Sequence, residues 1–149
     1  MLRRISVLLA IVSLTGCLES VEPERVFRWD GIVQQGEFVF QSAFLWYESQ
    51  QIIVAAAGLA GDFGDSPDLD PPVRPWRIHS STCASGGPIV GEDLETWYPN
   101  LAVDIDGDAR SETAFNAVVD IEGMYHVKLY TSPDDDTVIA CIDLSEVAS

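Results

Sequence analysis

The stretch from Met124 to Leu144 constrains the fold more than any other part of the chain. Apolar, β-branched and aromatic residues alternate with polar ones up to Ser132-Pro133-Asp134-Asp135-Asp136 and resume after it. That is the local signature of two antiparallel strands joined by a turn. Cys141 falls in the second strand, and Trp76-Arg77-Ile78-His79-Ser80-Ser81-Thr82-Cys83 offers it a partner beside a histidine. A hairpin whose cysteine reaches back across the chain points to an all-β domain assembled from distant segments.

The N-terminus is of a different kind. Met1-Leu2-Arg3-Arg4 is a basic start, and Ile5 to Leu14 is an apolar run too short to span a bilayer. It closes on Leu14-Thr15-Gly16-Cys17, which resembles the lipobox of bacterial lipoprotein precursors, where cleavage precedes acylation of the cysteine sulfur. The expected organisation is a signal peptide over 1–16, the lipidated Cys17 with a polar tether over 17–25, and one β domain over 26–149. Cleavage removes 16 of the 149 residues together with Arg3 and Arg4, taking the formal charge from −16 to −18. The remaining length suits one domain, and the acidity excludes nucleic acid and anionic lipid as natural partners. With Cys17 acylated, Cys83 and Cys141 remain as an even pair in an exported protein and are expected to be bonded.

Between tether and hairpin the pattern gives further short strands. The full set expected is Val26–Ile32, Gly36–Leu45, Gln51–Ala57, Pro75–His79, Leu101–Ile105, Ala114–Val119, Tyr125–Thr131 and Thr137–Leu144. No long helix is expected. Gly61 to Pro75, rich in Asp and Pro, and Cys83 to Asn100 read as long loops. Eight short strands at these spacings argue for an antiparallel sandwich or barrel.

Several features then combine. Gly58-Leu59, Trp76 with Ile78-His79 and Cys83, Gly87-Pro88, Asn100 to Gly107, and Ser132-Pro133 to Ala140-Cys141 resemble the copper/zinc superoxide dismutase-like domain in order and spacing, with the CHRD domain as a nearby alternative. The likeness covers about residues 50 to 144. It implies an eight-stranded antiparallel Greek-key β-barrel of sandwich type. It also implies a disulfide from Cys83 to Cys141, where Ile142 replaces the family's glycine.

The family's metal ligands do not carry over. Its His-x-His pair falls on Arg77 and His79, its later copper histidine on Tyr130, and its zinc aspartate on Trp97. The segment matching its zinc loop, Gly86 to Glu95, has no histidine, and the arginine that guides superoxide is replaced by Val138. His126 is expected four residues from Tyr130, about 13 Å along a strand, too far to substitute. His79 is expected to be a structural histidine bonded to a neighbour such as Tyr130, with a remnant metal ligand as the alternative. Trp76, Trp97, Tyr98 and Tyr130 are expected to fill the vacated space, or alternatively to form an aromatic platform for a ligand. Asp104, Asp106 and Asp108 alternate as calcium ligands do. The glycine of that motif sits too early and Phe115 stands where a glutamate belongs, so a tight turn at Gly107 is the expected role. Ser80, Ser81 and Ser85 lack the Gly-x-Ser-x-Gly context of a hydrolase.

The expected function is a non-catalytic, lipid-anchored domain of the bacterial cell envelope, a structural or binding module without a cofactor. Its partners would be the membrane, through the anchor, and a protein or small ligand. Leu18 after the acylated cysteine is compatible with sorting to an outer membrane. The alternative is a copper- or zinc-handling protein or a residual superoxide dismutase.

Overall fold

The computed structural model describes residues 23–61 and 72–148. The signal peptide, Cys17, most of the tether and most of the Gly61 to Pro75 loop therefore lie outside the described residues. Among the described residues nine strands follow in order: β1 (Val26–Gln35), β2 (Phe38–Tyr47), β3 (Ile52–Ala60), β4 (Val73–Arg74), β5 (Trp76–Ser80), β6 (Leu101–Ala102), β7 (Ala109–Asn116), β8 (Tyr125–Ser132) and β9 (Asp135–Val147). No helix occurs among the described residues.

Seven strands form one antiparallel sheet in the order β5-β8-β9-β1-β2-β3-β7, and β4 pairs with β6 in a small ribbon. The sheet curls into a half-barrel, and the ribbon touches β8 on one side and β7 on the other. One atom helps to tie these parts together. The Pro99 carbonyl, just before β6, accepts a hydrogen bond from Trp76 Nε1 of β5 at 2.9 Å and another from Ser111 Oγ of β7 at 2.5 Å. The two outermost strands of the sheet are thus pinned to the same backbone oxygen.

The core follows from alternation. Phe38, Phe40, Phe44 and Trp46 point inward from β2, Ile53, Ala55, Ala57 and Leu59 from β3, and Ala140, Ile142 and Leu144 from β9. Trp29 of β1 stacks on Phe44 with centroids 4.7 Å apart, and Tyr125 meets both rings edge-on at 5.4 Å. Such offset and T-shaped pairs suit the ring quadrupoles and add to the area they bury.

Six expected strands stand with ends shifted by at most three residues; two need correction. Leu101–Ile105 shrinks to Leu101–Ala102, because Asp104 Oδ1 accepts the amides of Asp106 and Asp108, each at 2.9 Å, and bends the chain instead. Ala114–Val119 becomes Ala109–Asn116. The polar run Arg110-Ser111-Glu112-Thr113 hides a strand because its outward side chains meet solvent, while Ser111 and Phe115 face in.

Candidate functional site

The sheet's outward face at β5 and β8 carries the side chains that the sequence singled out. Ile78, Val127 and Leu129 are buried in the core, so alternation turns Arg77, His79, His126, Lys128 and Tyr130 to the other side. Residues 81–100 fold back over that side. Ser80 N donates to Pro88 O at 3.0 Å and Val90 N to Ile78 O at 2.8 Å, so residues 88–90 run along the edge of β5. A Cβ at Gly87 would stand 2.1 Å from Ser80 O, so only glycine lets the loop lie this close.

That contact fixes His79, which is 6% exposed. Its Nδ1 lies 2.8 Å from the Gly87 carbonyl and its Nε2 lies 3.0 Å from the Tyr130 hydroxyl. A carbonyl only accepts, so Nδ1 carries the proton and Nε2 takes the hydrogen bond from Tyr130. The lone pair a metal would need is already engaged. Arg77, at the other position of the pair, forms an ion pair with Asp93 and donates to Trp76 O at 2.7 Å. Its guanidinium carbon sits 5.6 Å from the centre of the Tyr98 ring.

His126 is where the structure departs most from expectation. It does lie on the strand of Tyr130, but it pairs directly with His79, and the rings stack with centroids 5.0 Å apart at 15°. It is fully buried; Nδ1 donates to Ser81 O at 3.1 Å, and Nε2 has no hydrogen-bond partner. A buried, bare acceptor of this kind costs about 1–3 kcal/mol. Pairwise alternation along β8 could have placed His126 on the outward face. Its partner depends on the β5–β8 register, which the sequence does not carry.

The other positions part company. Trp97 packs against Phe115 at 5.1 Å, away from His79 and Tyr130. Trp76 and Tyr98 are fully buried and meet edge-on at 5.2 Å, so they are packing and not a ligand platform. Asp104 is occupied in its own turn, and Gly107 there adopts φ 84°, which favours glycine. No group of three or more His, Cys, Asp or Glu among the described residues is placed to hold a metal ion. Cys83 and Cys141 are bonded, with Cα atoms 6.0 Å apart, and Cys83 N donates to Asp143 Oδ1 at 2.6 Å.

Two concavities stand out among the described residues. A polar notch of about 160 Å³ opens beside Arg77 and Tyr130, bordered by Asp93, Asn100 and Asp135; it falls below the size of ordinary small-molecule sites. An open groove of about 660 Å³ crosses the outward face of β1, β2, β3 and β7 over Ala43, Ala56, Gly58 and Ala60. It is the larger, and both its arginines are already in ion pairs, Arg28 with Asp30 at 3.0 Å and Arg110 with Glu112 at 2.5 Å.

Burial holds His79 below its ordinary imidazole pKa; the Gly87 carbonyl and Asp93 oppose this, and Lys128 and His126 reinforce it. The unfolded chain therefore binds a proton near pH 6.5 that the folded one still refuses. The stability from His79 is complete above that pH and is lost as pH falls from about 6.5 towards the lower folded value. Glu24 and Asp135, whose carboxyls are lowered by hydrogen bonds from Ser49 and Thr137 respectively, act only in more acid solution. Urea unfolding midpoints should fall between about pH 7 and pH 5, and His79→Gln should flatten that slope. An unchanged slope in the variant would remove His79 as its cause.

Fold and site together define an all-β, disulfide-stapled domain in which a neutral histidine is sealed by a tyrosine and a glycine-rich loop. No protein-family model, curated protein or solved structure matches the chain.

Proposed function

We propose that the chain is a lipid-anchored, non-catalytic module of the bacterial cell envelope, built on a superoxide dismutase-like framework whose metal centre has been replaced by side-chain packing. The connectivity supports the framework. Hairpins join β1, β2 and β3, the last strand β9 lies beside β1, and the chain crosses between opposite ends of the sheet from β3 to β5 and from β7 to β8. Such crossings belong to Greek-key connectivity. The Cys83–Cys141 bond joins the two segments that the resemblance implies.

The observation that carries the loss of chemistry is the Tyr130–His79 hydrogen bond, with Arg77 tied to Asp93 beside it. Copper cycling between two oxidation states needs several imidazoles converging on one point. Here one imidazole spends its free lone pair on a phenol, and a paired guanidinium stands where another would be. The role left is structural or binding, and the outer groove is the concavity with room for a protein segment or a small ligand.

A second reading is favoured by one specific feature. The bare Nε2 of His126, beside the His79 ring, is a nitrogen donor that a rearranged loop could offer to copper or zinc. Metal analysis of the purified soluble domain, with a dismutase assay, separates the two. The proposal expects neither stoichiometric metal nor activity in the natural sequence, little uptake by Tyr130→His alone, and clear uptake when Arg77→His is added. Stoichiometric copper in the natural sequence would establish the metal-handling reading instead.

A further inference from the structure

The ends of the half-barrel differ, and the chain enters at one of them. Val26 pairs with Tyr47, Tyr47 with Ile52 and Ile52 with Asn116, so the start of β1, the β2–β3 turn and the end of β7 share one end. The residues leading into β1 are fastened there. Glu24 accepts hydrogen bonds from the Ser49 amide, at 3.0 Å, and from the Ser49 hydroxyl, and Arg25 pairs with Glu48 at 3.0 Å. The β7–β8 connection lies alongside, since Ala117 N donates to Gln51 O at 2.9 Å. On it two large apolar side chains face solvent, Val118 at 79% and Met124 at 62% exposure.

We infer that this end is a membrane-contacting surface, with Val118 and Met124 set against a zwitterionic lipid headgroup layer. The inference rests on the proposal that Cys17 is acylated. Residues 17 to 23 then span at most about 21 Å. The ten-residue β1 is about 33 Å long. A lipid on Cys17 therefore cannot reach the bilayer with the far end of the barrel facing it. It holds the β2–β3 turn and the β7–β8 connection near the headgroups and leaves the notch beside Tyr130 and the β8–β9 turn on the distal side. The apolar pair decides between end-on and side-on contact, because exposed aliphatic groups gain from leaving water at the interface. Charge decides the lipid. Asp120 and Glu122 on the same connection and Glu146 near the end of β9 are exposed, so anionic headgroups would repel this end.

Backbone hydrogen exchange of the acylated full chain on phosphatidylcholine vesicles tests this, with Cys17→Ser as the unanchored reference. Exchange should slow several-fold at residues 48–51 and 117–124, with no change at 103–108 and 133–136, and the slowing should weaken when phosphatidylglycerol is mixed in. Val118→Asp with Met124→Asp should lose the slowing at 117–124 while the protein still sediments with the vesicles. A vesicle-bound chain that is protected elsewhere, or nowhere, overturns the inference and leaves the anchor standing. Failure of the natural chain to sediment any better than Cys17→Ser overturns both.

Discussion

Replacing Cys83 and Cys141 together by alanine should lower the unfolding free energy by about 2–5 kcal/mol, read from urea midpoint and slope together, the slope rising as the unfolded chain loses its cross-link and exposes more surface. The bond spans 58 residues of sequence. Opening a closed loop of that size returns roughly 4 kcal/mol of conformational freedom to the unfolded chain in the chain-entropy account. The folded state also loses a tie, because the bond fastens the start of the 81–100 loop to β9, and that loop covers His79 and His126. The Cys83 amide keeps its hydrogen bond to Asp143, so the loop is loosened and not released. A loss below about 1 kcal/mol would mean that this bond and the backbone contacts at Pro88 and Val90 already hold the loop.

Trp76→Ala should cost a similar or larger amount, about 3–5 kcal/mol, the usual range for emptying a buried aromatic site. Trp76 is fully buried, lies edge-on to Tyr98 at 5.2 Å and donates to Pro99 O. The carbonyl it holds is shared with Ser111, so the loss also loosens one edge of the sheet from the segment that carries β6. Trp76→Phe isolates the hydrogen bond. It keeps most of the volume and should cost about 1 kcal/mol beyond repacking, since Pro99 O retains Ser111. Adding Ser111→Ala leaves the oxygen with neither donor, and the double variant should be destabilised by more than the sum of the singles. Strict additivity in urea unfolding would show that the two donors act independently.

Alternation made most strands legible. A strand with one face in the core must place apolar groups at every second position, as Phe38, Phe40, Phe44 and Trp46 do on β2 and Val127 and Leu129 do on β8. It failed at β7, where only Ser111 and Phe115 mark the inner face, and at Leu101–Ile105, where a side-chain oxygen competed successfully for the backbone amides. Ile105 looked like a strand residue and is fully exposed in the turn.

The candidate site divides the same way. Residue identity and strand alternation determined that a histidine and a tyrosine stand on one face, that the chain holds only two histidines, and that Cys83 and Cys141 are an available pair. Those statements need only composition and the two-residue period of a strand. Which groups touch was decided by tertiary structure. The β5–β8 register set His126 against His79, the return of the loop at Gly87 chose the tautomer of His79, and the packing of Trp97 on Phe115 drew that ring away. The physical reason is that period two assigns a side chain to a face, whereas its neighbour on that face comes from another strand, through backbone hydrogen bonds between residues dozens of positions apart.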